Sequence, residues 1–245
     1  MPAKDPLVAF PDHITTVLTL PELRRLSAAL FGLGLTGGWP LSEQPGFATA
    51  GIRLGNLNLE ICAVDPAVNP LTDWLTFEPA DLETLADGLA LHGLAHDPFD
   101  EMKAGGQAIY TRVGLPALVN GYTALQVCRT FFPTRTTGPV APANAAGIKQ
   151  VRSVNIGVDT QHEAALAALL SPRSARGSVE FDVGPALAID EADSLQLRGL
   201  TVETEDPDVA TATLVEAGLV NAGNRKVQIG SLHIDLVRVR SHPSD

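Results

Sequence analysis

Apolar and polar residues alternate through Leu57-Asn58-Leu59-Glu60-Ile61-Cys62-Ala63-Val64. Period-two alternation puts the leucines and isoleucine on one face of a strand and Glu60 on the other. The pattern returns in Leu232-His233-Ile234-Asp235-Leu236, 175 residues later, and in Leu125-Gln126-Val127-Cys128. Each copy carries a polar residue at its centre: Glu60, Asp235 or Gln126. A carboxylate in mid-strand is uncommon unless something uses it.

The elements around these strands recur in a fixed order. Residues 13–20 read as a strand, and Pro21-Glu22 opens a helix striped by Leu23, Leu26, Leu30 and Leu33. Strands at 47–54 and 57–64 follow, joined by Gly55-Asn56. A second round reads strand 74–78, a helix striped by Leu82, Leu85 and Leu89, and strands 109–113 and 125–132. The run from Pro133 to Gly147 is proline-rich and aperiodic, as a linker is. Beyond it come strand 151–159, helix 163–170 and strands 178–183 and 186–190. The last round is strand 200–204, an Asp206-Pro207 helix start, helix 209–217 and a hairpin of 227–230 with 232–239. The expected fold is therefore α+β, with four βαβββ-like units grouped in pairs. The expected domains are 10–133 and 148–240, with 134–147 as the linker. A single unit leaves one sheet face open, so units are expected to pair.

Composition narrows the function. The hydrophobic content of 45% supports a sizeable core, and the net charge of −11 argues against nucleic acid as a partner. No apolar run approaches the ~18 residues of a membrane span. The first residues lack the basic and apolar regions of a signal peptide, and two cysteines make no disulfide scaffold. A cytoplasmic protein is the expectation.

The chain resembles the vicinal oxygen chelate superfamily, most closely its glyoxalase-like members. The resemblance is carried by Asp12-His13-Ile14, Glu22-Leu23, Phe31-Gly32-Leu33-Gly34-Leu35 and Leu59-Glu60-Ile61. Val154-Asn155-Ile156-Gly157-Val158-Asp159 and Val202-Glu203-Thr204-Glu205-Asp206 are similar to the first-strand entries of later units. It implies two paired, curled mixed β-sheet modules around a cleft, with helices outside. It also implies a divalent ion held by first- and last-strand residues in some members, and a metal-free ligand cleft in others such as the bleomycin-resistance proteins.

Carried onto this sequence, the resemblance makes Glu60 the last-strand carboxylate and the expected catalytic residue. The expected metal set is His13, Glu60 and Gln126. In the family pattern the first-strand ligand lies seven residues before the acidic helix start. That count reaches Thr15 from Glu22, two residues after His13 on the same strand face, and Trp74 from Asp81. Trp74, Cys62, Cys128, His233 and Asp235 are expected to line ligand clefts. Trp39, Phe47, Phe99 and Tyr110 are either further lining or core. Glu60 has a structural alternative, an ion pair with Arg53. For Cys62 and Cys128 the default is that of small buried apolar residues. No phosphate loop, nucleophile elbow or CxxC pair is present.

Two functions follow. One is a small-molecule-binding protein acting as a divalent-metal-dependent lyase, isomerase or dioxygenase on adjacent oxygens, with zinc, nickel, iron or manganese as cofactor. The other is a metal-free, cofactor-free protein that sequesters an apolar or aromatic small molecule. Homodimerisation is compatible with both but not required, because four units can pair within one chain.

Overall fold

The structure is a computed structural model that describes residues 6–65, 71–104, 107–130 and 143–239. The first strand, β1 (Val8–Val17), starts earlier than the alternation suggested and stops short of Leu20. It stops because Thr19 caps helix α1 (Leu20–Gly32). The Thr19 hydroxyl accepts from the Glu22 amide, and the Glu22 carboxylate accepts from the Thr19 amide. Leu23, Leu26 and Leu30 form the buried stripe of α1. Then come β2 (Ser42–Gln44), β3 (Phe47–Arg53) and β4 (Asn58–Val64).

The order repeats in β5 (Asp73–Pro79), α2 (Leu85–Leu91), β6 (Asp100–Ala104), β7 (Gln107–Asn120) and β8 (Thr123–Thr130). Helix α2 begins after Leu82 because the Asp81 carboxylate accepts from the Glu83 amide and the Thr84 hydroxyl, holding a turn there. The second half comprises β9 (Ile148–Val158), α3 (Thr160–Leu170), β10 (Gly177–Val179), β11 (Ala186–Glu191), β12 (Gln196–Thr204), α4 (Pro207–Glu216), β13 (Val220–Gly223), β14 (Lys226–Ile229) and β15 (Leu232–Arg238). Among the described residues the third round has three strands, β9, β10 and β11. Asp159 and Asp206 cap α3 and α4.

These strands form two mixed sheets. The first has the order β2-β3-β4-β1-β5-β8-β7-β6, the second β10-β11-β9-β12-β15-β14-β13. At the centre of each, two first strands run antiparallel: β1 with β5, and β9 with β12. Each pairs on its other side in parallel with the last strand of its own unit, as β1 does with β4 and β12 with β15. Units thus pair within each half.

One face of each sheet is apolar: Ile14, Leu59, Phe77 and Leu125 in the first, Val154, Leu200, Val202 and Ile234 in the second. The helices cover these faces, each keeping a flank in solvent. Leu30 of α1 and Leu214 of α4 meet residues of both sheets around a void of ≈10 Å³, so the two halves share a core. Polar contacts tie the seam. The Asn56 amide donates to the Val151 carbonyl and accepts from its N–H, and Ser231 donates to Asp73. Gly55 (φ 77°) has no room for a side chain, since a Cβ would lie 2.2 Å from the Lys149 carbonyl oxygen.

Residues 134–142 of the expected linker, and 131–132 at the end of the expected strand 125–132, lie outside the described residues. Of the remainder, Asn144 hydrogen-bonds the N–H and carbonyl of Ile148, and Ala145 donates to the Leu33 carbonyl. Among the described residues no helix is long and apolar enough to cross a membrane.

Candidate functional site

The registers of the first sheet decide which side chains share its second face. Thr15 stands opposite Glu60 on β4 and opposite Trp74 on β5, while His13 stands opposite Asn58 and Thr76. Thr76 in turn faces Gln126 across β5 and β8. On the other flank Gly51 faces Glu60, and Thr49 faces Cys62. Because partners in register project the same way, His13, Thr15, Glu60, Cys62, Trp74, Thr76 and Gln126 form one surface.

Glu60 is the hub of this surface. Its Oε2 accepts from the Thr15 hydroxyl at 2.8 Å and its Oε1 from the Thr49 hydroxyl at 2.5 Å. Trp39 Nε1 donates to the Thr49 oxygen at 3.1 Å, extending the chain to the indole. The threonines, rather than Arg53, hold the carboxylate; Arg53 donates to Asn58. His13 Nε2 lies 3.7 Å from Glu60 Oε2, outside hydrogen-bond length. His13 Nδ1 lies 2.9 Å from Asp12 Oδ2. Nδ1 is thus placed to donate to the Asp12 carboxylate, and Nε2 points toward the gap beside Glu60. Side-chain exposures of 7% for Asp12, 10% for His13 and 13% for Glu60 place this row in a largely dry setting.

Asp12 and His13 are neighbours in sequence and would ordinarily point to opposite faces. The register of β1 against β5 slips between Pro11 and His13, inserting Asp12 as an extra residue. Such a bulge re-aims a side chain, and here it brings the Asp12 carboxylate to the imidazole. Pro11, which has no N–H to give the ladder, sits at the same slip.

The loop after α1 folds back onto the sheet. Gly51 N–H donates to the Trp39 carbonyl, and the indole lies close against Gly51. Trp39 also meets the His13 ring edge-on, with centroids 6.3 Å apart. The second unit has a similar arrangement with the bond reversed: the Asp97 N–H donates to the Gly114 carbonyl, and the Asp97 carboxylate lies against Gly114, the register partner of Gln126.

At the C-terminal end of β1 the surface turns apolar. Trp74, Cys62 and Ala124 form a small buried cluster packed by Val17, Val64 and Leu71. Both cysteines are reduced and buried. Burial, reinforced by the Glu60 and Asp73 carboxylates, pushes the Cys62 thiol well above its usual range. Burial likewise pushes the Cys128 thiol up to about 12, although a hydrogen bond with Thr130 works against it. Neither is a thiolate near neutrality.

His233 and Asp235 stand on β15 in the second sheet, away from Glu60. His233 is exposed, and Asp235 pairs with Lys226 at 2.7 Å. Their sheet face also carries Ser153, Asn155 and Thr201, which hydrogen-bond one another.

A divalent ion of the zinc or iron type needs at least three good donors. Among the described residues no group of three His, Cys, Asp or Glu side chains converges as such a site. Gln126, the third expected ligand, turns its amide nitrogen onto the Thr76 hydroxyl at 2.9 Å. Trp74 occupies the matching first-strand position, and both Glu60 oxygens receive hydroxyl donors. The residues present therefore do not fit a three-donor metal centre.

Comparisons with known proteins bear on the fold. No family model matches the chain, and no curated protein matches its sequence. Solved structures do. A hypothetical protein from Staphylococcus aureus aligns over 94% of this chain and 98% of its own, with a TM-score of 0.61 and 9% identity. A mutant of 4-hydroxymandelate synthase from Streptomyces coelicolor aligns over 100% and 95%, with a TM-score of 0.53 and 14% identity. Homoprotocatechuate 2,3-dioxygenase from Brevibacterium fuscum aligns over 96% and 73%, with a TM-score of 0.56 and 12% identity. The chain has the vicinal oxygen chelate, or glyoxalase-like, fold: an α+β chain with two curled mixed sheets.

Proposed function

We propose that the Glu60 face of the first sheet binds a small organic molecule through a hydrogen-bond donor group, without a divalent ion. The observation that carries this reading is the pair of threonine hydroxyls fixing both Glu60 oxygens, with His13 Nε2 3.7 Å from Oε2. A carboxylate has about four acceptor directions, so two hydroxyls orient it and leave capacity for a ligand donor. An O–H or N–H group lying alongside this pair would come within hydrogen-bond reach of Glu60 Oε2 and His13 Nε2 together. The Asp12 carboxylate on Nδ1 would stabilise an imidazolium formed there, so the same row suits proton transfer to and from the ligand. Trp39 offers the apolar surface against which the body of the ligand would rest.

The test is a thermal-shift screen of small hydroxylated and aminated organic compounds on the full chain, in buffer containing EDTA. Compounds that raise Tm for the native protein should lose most of that shift with Glu60→Gln. A panel in which every stabilising compound keeps its shift in Glu60→Gln would remove the reading.

One observation favours a second reading. The fold is shared with 4-hydroxymandelate synthase and homoprotocatechuate 2,3-dioxygenase, which supports a metal-dependent lyase, isomerase or dioxygenase acting on adjacent oxygens. In that reading His13 and Glu60, with Gln126, would hold the ion, and Thr15 and Thr49 would have to surrender the carboxylate.

A further inference from the structure

Where the first sheet ends, the seam between the two halves opens into a groove. Its walls come from the end of β1, the first two turns of α1, the loop after α4 and the β14–β15 turn. The volume is ≈490 Å³, within the range of small-molecule pockets, which favour such junctions.

The polar side chains lining it are already engaged within the protein. Thr19 and Glu22 satisfy each other in the capping box of α1. Gln228 donates to the Gly230 carbonyl, and the Thr72 hydroxyl lies within hydrogen-bond reach of Asp73 and of the Tyr122 carbonyl. Arg25 reaches across the seam to the Gly218 carbonyl at 3.3 Å. With Glu22 and Arg25 of opposite sign on one rim, neither an anion nor a cation gains a clear advantage. What the groove offers a ligand is its apolar wall: Val17, Leu18, Leu26, Val64, Leu71 and Ile229.

We propose that this seam groove is a second binding site, separate from the Glu60 row, for an uncharged apolar small molecule. Removing such a ligand's surface from water drives the association, and no protein hydrogen bond has to break. The site has a built-in reporter. Val17, Val64 and Leu71 also pack against the small cluster that contains Trp74, so a ligand on that wall lies next to the surroundings of one of the chain's two tryptophans. The other, Trp39, belongs to the Glu60 row.

The probe is N-phenyl-1-naphthylamine, which is neutral and fluoresces in apolar surroundings, titrated into the full chain. Saturable one-to-one binding is expected, accompanied by a change in Trp74 emission in a Trp39→Phe background. Two substitutions address the groove without touching the core. Val220→Glu places a charge at a lining residue that is 62% exposed, and Gln228→Trp fills the space. Each should weaken probe binding at least ten-fold while the Tm stays within a few degrees of the parent. Glu60→Gln should leave it within two-fold, which separates this site from the proposed ligand row. Non-saturating binding, or equal affinity in the parent, Val220→Glu and Gln228→Trp, overturns the proposal; so does a ten-fold loss in Glu60→Gln.

Discussion

Trp39 packs on Gly51 so closely that a Cβ at Gly51 would fall 2.4 Å from the indole atoms Cδ2 and Cε3. The glycine is there to receive the ring, and the ring in turn holds Thr49 against Glu60. Gly51→Ala is therefore expected to expel Trp39 and destabilise the protein by about 1–3 kcal/mol, the usual range for overpacking. Denaturant melts monitored by tryptophan emission measure both effects at once. An unchanged midpoint with unchanged emission would mean that the indole does not rest on Gly51.

Replacing Glu60 separates polarity from shape. Glu60→Leu would leave the Thr15 and Thr49 hydroxyls without their acceptor, at about 1–3 kcal/mol for each group left unsatisfied. Glu60→Gln keeps a carbonyl oxygen for one threonine and an amide for the other, so its loss of stability should be smaller. Urea unfolding of the two variants should rank them Gln above Leu; the reverse order would argue that the threonines do not hold the carboxylate.

The helix cap at Asp206 sets an acid limit on local stability. The amides of Val209 and Asp208 hold its carboxyl below the usual range, with Arg238 adding to the effect. A lowered folded value makes this contribution fully present above the unfolded value of about 3.9, and it is lost as pH falls through the folded value. The stability gap between the native chain and Asp206→Ala should therefore be constant near neutrality and should close below about pH 4. Melts at pH 7, 5 and 3 read it; a gap that widens in acid contradicts the cap.

The thiols behave in the opposite sense. Cys128 is raised to about 12, so the fold favours its neutral form. That contribution is present below the unfolded value of about 8.5 and is lost as pH rises through the folded value. At pH 8 neither Cys128 nor Cys62 should react with a disulfide reagent within minutes in the native chain, and both should react in denaturant. Rapid native labelling of either would place a thiol at the surface.

Much of this surface was legible in the sequence, because alternation reports facing. Glu60, Gln126 and Trp74 share a face through nothing more than period-two spacing and strand pairing, and His13 joins them two residues from Thr15. That Thr15 and Thr49 hold the Glu60 carboxylate was not legible. Thr15 and Thr49 look like ordinary β-branched strand residues, and only a register identifies them as donors. Asp12 reaches His13 through a bulge, which breaks the very alternation used to read the strand. Trp39 arrives by a loop that folds back over a glycine. The short edge strands β2, β6 and β13 escaped for a related reason: β2 and β13 are exposed along their whole length and carry no buried stripe to betray them.

The most direct test of the central claim is isothermal titration of metal-stripped protein with Zn²⁺, Ni²⁺, Mn²⁺ and, under anaerobic conditions, Fe²⁺, read beside ligand stabilisation in EDTA. A metal-independent Glu60 row is expected to take up no ion stoichiometrically at micromolar concentration and to keep its ligand-induced Tm shift in chelator. One ion bound per chain, lost in both His13→Ala and Glu60→Gln and required for the ligand shift, would contradict it.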